Sequence, residues 1–497
     1  MNLKQLSGWV MAMLLCAATV TGVDSNAPLA DAAEEMDRAR VRALLEQSVN
    51  VNAAQVDGMT ALHWAAYQDD LETVKLLVEA GADVKATNRY GVTPLALACQ
   101  NGNGPMVELL LDSGADPNAA LPGGETALMT AARTGRMDPV RILISRGADV
   151  NAKETRHGQT ALMWAAAEGP VEVVEELIKA GADFKTPLPS GFTPLLFAVR
   201  QGQIEVVKAL LEAGADVNES VQPLESKEKG GYGRRLRAGT TPLLLAVSNA
   251  HYELGAFLLD AGAHPNANAT GYTALHAIVP VRKPGVGDND PAPEGSGNMT
   301  SIEFVKKLVA HGADVNAPMT KDVNLTNTRL NTMEATPFLL AAQTAAAELL
   351  RLLAELGADP LLPNQDNSTP LIVAAGLATR SPGEDAGTEE EVLETVELLL
   401  ELGNDINAVD KHGNTAMHGA AFKNLPKVVK FLAEKGADIQ VWNKKNFYGW
   451  TPLAIAAGYR FGNFKPSPVT MDAIREVMLA AGVTPPDKIV AETQQIY

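Results

Sequence analysis

Cysteine is nearly absent from this chain: Cys16 and Cys99 are the only two among 497 residues. Cys16 falls inside an N-terminal apolar stretch that reads as an export signal, so the mature monomer would keep Cys99 alone and could form no internal disulfide. Stability then has to come from packing. Cys99 follows Ala98 in an apolar helical pattern and reads as a small buried hydrophobe. Aromatic residues are scarce as well, 5% of the chain against 46% hydrophobic residues overall. Alanine, leucine and valine are left to build the interior, a composition suited to small, closely packed helices. Basic charge is in deficit: 41 Lys and Arg face 59 Asp and Glu, a formal net charge of −18. Nucleic acid and anionic lipid surfaces are therefore poor partners.

Motifs that carry chemistry are missing too. There is no HExxH, paired-cysteine or EF-hand pattern, no Gly-x-Ser-x-Gly elbow and no phosphate-cradling loop. Carboxylate pairs such as Glu175-Glu176 have the spacing of solvated helix faces. No catalytic, cofactor-binding or metal-ligating residue is expected. The longest apolar run lies at the start: Lys4 is the only charge before the stretch Trp9 to Val20, and Asp24 ends it. This is the layout of a signal peptide, and the run is shorter than the roughly 18–20 residues that span a bilayer. Residues 1–32 are assigned to it, with Ala30-Asp31-Ala32 as the small-x-small segment for cleavage and Gly22-Val23-Asp24 as a second place for the cut. The expected location is secreted or periplasmic, with membrane anchoring through an uncleaved signal as the alternative.

What the chain has in abundance is repetition. A Gly-x-Thr-Pro/Ala-Leu motif or a near variant sets threonines at 60, 93, 126, 160 and 193, spaced by 33, 33, 34 and 33 residues, and continues at 241, 273, 336, 369, 415 and 451. A second landmark, Gly-Ala-Asp, recurs between them, as at Gly81-Ala82-Asp83, Gly114-Ala115-Asp116 and Gly147-Ala148-Asp149. Each unit reads as a short hairpin of helices. The threonine can cap a first helix that often begins with proline, as at Pro94 and Pro194, where the missing N–H costs nothing. Paired alanines such as Ala65-Ala66 let neighbouring helices approach closely. A second helix follows with apolar i, i+3, i+4 spacing, as in Val74, Leu77 and Val78. Glycine of Gly-Ala-Asp closes it in a left-handed turn, and Asp-x-Asn bends the chain toward the next unit.

The segments Thr60-Ala61-Leu62-His63-Trp64-Ala65-Ala66 and Thr273-Ala274-Leu275-His276-Ala277 resemble the signature of ankyrin repeats. The resemblance runs from about Ala33 to Gly482 and implies an all-α solenoid of about eleven stacked helix-turn-helix repeats plus an N-terminal cap. It also implies that His63, His276 and His418 hydrogen-bond to neighbouring turns, and that Trp64 and Trp164, one place after the signature histidine position, are core residues.

Period is kept only in the first half. Residues 33–56 read as a degenerate capping repeat, 57–218 as five regular repeats, 219–482 as six repeats with insertions at 219–238, 280–300, 318–334, 378–390 and 458–468, and 483–497 as a tail. Loop closure entropy grows slowly with length, so tolerance alone accounts for insertions. Long loops on rigid scaffolds also carry recognition. The first insertion bears Lys227, Lys229, Arg234, Arg235 and Arg237, a basic finger on an acidic body.

The expected function is a non-catalytic, monomeric scaffold that binds a protein partner through finger tips and first helices. Contact candidates at the tips are Arg89, Tyr90, Arg156, His157, Phe192, Arg234, Arg235, Lys411, His412, Phe447, Tyr448 and Trp450. Tyr67, Arg133 and Arg200, near the ends of first helices, would line the same side. Aromatic and arginine residues are the usual interface anchors. Two alternatives stay open: an enzyme whose site is built from the inserted loops, or a passive spacer.

Overall fold

The computed structural model describes residues 26–222, 237–285, 293–326, 328–460 and 465–489. Among them every regular element is a helix, and the only β pairing is two isolated bridges, Ala54 with Thr60 and Ala120 with Thr126. No helix there is long and apolar enough to cross a membrane. The chain divides into two compact units, residues 1–183 and 184–497. The division falls one repeat before the change in loop length at 219.

In the first unit the helices pair as α1 (Pro28–Glu34) with α2 (Arg38–Glu46), α3 (Ala61–Tyr67) with α4 (Leu71–Glu79), α5 (Pro94–Asn101) with α6 (Gly104–Asp112), α7 (Ala127–Thr134) with α8 (Met137–Ser145), and α9 (Ala161–Glu168) with α10 (Val171–Lys179). The threonines act as caps: the Thr93 hydroxyl oxygen accepts from the N–H of Ala96 at 3.2 Å. Helices α4, α6, α8 and α10 each turn a leucine inward, and Leu77, Leu110, Leu143 and Leu177 are completely buried in matching register. Truncating any of them to alanine is expected to cost about 2–5 kcal/mol. At Gly114 (φ +95°) an added Cβ would meet nothing within 4 Å, so glycine is required by the left-handed backbone and not by crowding.

The second unit repeats the scheme with α11 (Pro194–Gln201) and α12 (Ile204–Glu212), α13 (Pro242–Ser248) and α14 (Tyr252–Asp260), α15 (Ala274–Arg282) and α16 (Ser301–Ala310), α17 (Pro337–Gln343) and α18 (Ala347–Glu355), α19 (Pro370–Ala374) and α20 (Glu389–Glu401), and α21 (Ala416–Lys423) and α22 (Pro426–Glu434). A single turn, α23 (Ile439–Trp442), precedes the last pair, α24 (Pro452–Ala456) and α25 (Pro468–Ala480). Its own second helices turn Leu210, Leu258, Leu308, Leu399 and Leu432 inward, all fully buried.

Two sequence expectations meet the fold here. Helix α1 crosses the boundary at residue 33 drawn for the end of the signal, and Ala30 and Ala32 are completely buried. Small residues suit a peptidase, and they also let α1 pack closely on α3. The remainder of the signal, Trp9 to Val20 included, lies outside the described residues, as do Arg234 and Arg235. The second expectation, for Asp-x-Asn, changes. The aspartate closes its own turn, with Asp116 Oδ1 accepting from the Asn118 N–H at 2.9 Å. The asparagine side chain reaches instead across to the following repeat.

The insertions are folded against the repeats where described. His251, buried at the start of α14, has its Nε2 3.0 Å from the Arg200 carbonyl and accepts at Nδ1 from the Ser296 N–H at 3.0 Å, which pins the 280–300 insertion. In the 318–334 insertion, Thr332 donates its N–H and hydroxyl to Asp322 Oδ1 at 3.0 and 2.9 Å, over buried Met319 and Val323. The 378–390 insertion closes over Lys423, a residue only 5% exposed, whose ammonium donates to the Ala386 carbonyl.

Candidate protein-binding surfaces

The finger tips are held by their backbone. In the first unit the Arg89 N–H donates to the Asp57 carbonyl and the Thr155 N–H to the Gly123 carbonyl, both at 2.8 Å. In the second, the Lys411 N–H donates to the Asp366 carbonyl at 2.9 Å and the Phe447 N–H to the His412 carbonyl at 2.7 Å. Each tip thus hangs on the one before it, and the side chains are left over for other uses.

Three buried histidines add a second set of ties. Their Nδ1 atoms accept from the N–H of Thr60, Thr273 and Thr415. The opposite nitrogen then carries the proton and donates to the carbonyls of Val92 (3.0 Å), Ala335 (3.1 Å) and Lys444 (3.2 Å). Burial lowers all three imidazoles, His276 and His418 to about 4. These are the expected structural roles. Cys99 is completely buried and burial pushes its thiol up, in keeping with a packing role.

On the first helices of the first unit, several large side chains remain part-exposed. Tyr67 meets Trp64 edge-on at 5.8 Å, and the Arg133 guanidinium lies 5.2 Å from the centre of the Trp164 ring. The indole N–H of Trp64 donates to Gln55 at 2.7 Å and that of Trp164 to Gln159 at 3.1 Å. Both tryptophans are half-buried, not core residues as expected. The place after the signature histidine faces outward at these helices, and Trp64 and Trp164 are contact candidates that the sequence reading missed. The signal that could have found them is chemical: a tryptophan followed by paired alanines, which bring neighbouring helices close, exceeds what that packing can enclose.

The tip candidates of this unit separate into pairs. Arg89 donates to the Tyr90 hydroxyl at 2.8 Å and stacks on its ring at 5.0 Å, and both are exposed. Arg156 and His157 are exposed because Glu154 folds their loop, taking their N–H groups at 2.6 and 2.7 Å and that of Gln159 at 3.0 Å. Burial works against the Glu154 carboxylate, but those donors hold it below the usual range.

In the second unit some candidates are used internally. The Arg200 guanidinium lies 4.8 Å from the Phe192 ring centre and 5.1 Å from that of Phe197, so these predicted contacts largely serve each other. Trp450 is 8% exposed and stacks on Tyr448 at 5.0 Å, so it supports the tip and is not presented on it. The reason is local: Asn446 draws the Tyr448 and Trp450 N–H groups inward, at 3.0 and 3.1 Å, and the indole follows. Lys411 is exposed, with its ammonium on the Gln365 carbonyl. Phe447, at 64% exposure, meets His412 edge-on at 6.0 Å.

His412 and Tyr448 also line a cleft of about 180 Å³ with Arg329, Asp366, Leu377 and Phe422. Two insertions close it, joined by the Arg329 N–H to the Ala378 carbonyl at 3.0 Å. Ser368 Oγ lies 3.3 Å from Asp410 Oδ2, while His412 Nδ1 is 3.9 Å from Asp366 Oδ2. Serine and histidine are thus each engaged with a different carboxylate, which is not the arrangement of an activated nucleophile.

A family model described as ankyrin repeats (3 copies) matches residues 11–88, 29–120, 80–154, 118–187, 154–221 and 386–465, and one for a single ankyrin repeat matches 238–269. Among curated relatives, a putative ankyrin repeat protein of fowlpox virus is 41% identical over 70 residues, 14% of this chain and 15% of that protein. Human ankyrin repeat and SOCS box protein 6 is 32% identical over 143 residues, covering 25% of this chain and 34% of its own. Alpha-latroinsectotoxin-Lt1a of Latrodectus tredecimguttatus is 32% identical over 133 residues, 26% of this chain and 8% of the toxin. The chain thus spans about a third or less of the length of these relatives. They are viral and eukaryotic and lend no support to the expected exported, bacterial origin. Ankyrin repeats generally mediate protein–protein interaction, as scaffolds without enzymatic activity. With helix pairs stacked as expected and the repeat models matching more than half of its length, the chain belongs to the ankyrin repeat family.

Proposed function

We propose that this protein is an exported, non-catalytic scaffold that holds a protein partner on its first helices and finger tips. The observation that carries the reading is the row of half-exposed Trp64, Tyr67, Arg133 and Trp164 on helices whose alanines and leucines are otherwise buried. The fold does not require rings of that size there, and rigid aromatic and arginine side chains make strong anchors at low entropic cost. Export rests on the N-terminal apolar stretch Trp9 to Val20 behind Lys4. A cut upstream of Ala27 would leave α1 whole.

The test is a photo-crosslinking amino acid placed at Tyr67 or Tyr90 in the native host, followed by mass spectrometry of each cell fraction. A discrete crosslinked protein, reduced by Arg133→Ala and Trp164→Ala, is the expected result. Crosslinks indifferent to both substitutions, or a protein confined to the cytosol, would overturn the binding face or the export respectively.

A further inference from the structure

We infer that the cleft between the two insertions of the second unit receives one cationic side chain, arginine or lysine, of a partner protein; this rests on the scaffold reading above. The cleft is small, about 180 Å³, which suits one long side chain and not a helix. Its two carboxylates are in different states. Asp410 is filled by its own loop, accepting from the His412 and Asn414 N–H groups at 2.9 and 2.8 Å and from the Asn414 amide at 3.0 Å. Asp366 is not: its side chain is one-quarter exposed, and His412 Nδ1 stands 3.9 Å from its Oδ2, beyond hydrogen-bond reach. That leaves a carboxylate, three-quarters buried, facing the cleft.

The walls complete the site. Phe422 and Tyr448 line the cleft, and Tyr448 is backed by the stacked Trp450 ring at 5.0 Å. Ring faces attract a cation whose charge a carboxylate also meets, and they hold the methylene stem of arginine or lysine. Arg329 lies on the rim as an exposed residue, so the lining carries two carboxylates against one guanidinium. The charge of the whole chain, −18, draws a basic partner toward it.

The walls come from residues the repeat does not need. Leu330 and Asn331 belong to one insertion and Ala378 and Thr379 to the other, while Asp366, His412 and Tyr448 stand on successive fingers. A repeat array without the insertions would leave Asp366 on an open surface, where water would screen it. The insertions turn a surface carboxylate into a selective one.

Saturation-transfer NMR on the full chain tests this with three probes: acetyl-arginine amide, its neutral isostere acetyl-citrulline amide, and acetyl-glutamate. Transfer to the arginine probe is expected to exceed that to citrulline, and Asp366→Asn should weaken it by about tenfold, the scale of one charged hydrogen bond. Tyr448→Leu should weaken it independently. Equal transfer to citrulline, or preference for glutamate through Arg329, overturns the proposal, and the citrulline comparison needs no variant to fold. If no probe binds while crosslinking still captures a partner on the first unit, the cleft assignment fails and the scaffold reading survives. If the arginine probe binds and no partner is captured, the reverse holds.

Discussion

The side-chain amide of Asn118 clasps the turn of the next repeat at Asp149: Oδ1 accepts from the Asp149 N–H at 2.7 Å while Nδ2 donates to the Gly147 carbonyl at 3.1 Å. The same two-pronged contact recurs from Asn151 to Gly181 and Asp183, and in the second unit from Asn266 to Gly312 and Asp314. It joins neighbours at the point where the chain leaves one hairpin for the next. In a repeat array, whose stability is approximately a sum of unit and interface contributions, such contacts set the cooperativity.

Asn118→Ala should therefore destabilise the first unit by about 1–2 kcal/mol, the net worth of two hydrogen bonds near the surface. Urea unfolding followed by far-UV circular dichroism measures it. A midpoint indistinguishable from the parent would mean that water replaces the clasp without loss.

Acid should loosen the second unit through His276 and His418. Their folded values, about 4, lie below the 6.5 of a free imidazole, so the unfolded chain binds more protons between those limits. The stability they provide is full above pH 6.5 and is lost as the pH falls toward 4. His418→Met, which places there the residue that Met129 and Met163 supply in other repeats, should flatten that limb of a thermal midpoint against pH curve. An unchanged limb would assign the acid sensitivity elsewhere.

Cys99, completely buried and with its thiol raised by burial, should be silent toward a thiol reagent in the native protein and react stoichiometrically in denaturant. Native reaction at the rate of a free thiol would show that α5 opens far more readily than its packing indicates.

Lys423 carries opposing effects. Burial pushes its ammonium down to about 8, although Asp385 favours the charge, so keeping it protonated costs stability at neutral pH and that cost fades between about 8 and 10.5. Lys423→Met is expected to leave the thermal midpoint unchanged or raise it, because an apolar residue of similar length often replaces a buried charge without loss. Limited proteolysis should nevertheless cut faster within residues 378–388, since the contact to Ala386 is gone. A lower midpoint with an unchanged cleavage rate would contradict both.

The repeat itself was legible because its rules are local. A threonine caps the helix that follows it, a glycine closes the helix before it, and apolar spacing marks the inward face; each needs only a few neighbouring residues. That local code determined the helix pairs, the buried histidines and the burial of Cys99. Tertiary structure decided where side chains of one type end up. Trp64 and Trp164 stand part-exposed while Trp450 is buried, because exposure depends on which neighbouring repeat or loop covers the ring. Asp366 faces the cleft and Asp410 is consumed by its own loop for a similar reason: the insertions meet over one finger, and no spacing along the chain encodes that meeting. Helix α1 belongs to the packed repeats because α3 lies beside it, a contact that residues 28–34 alone do not specify.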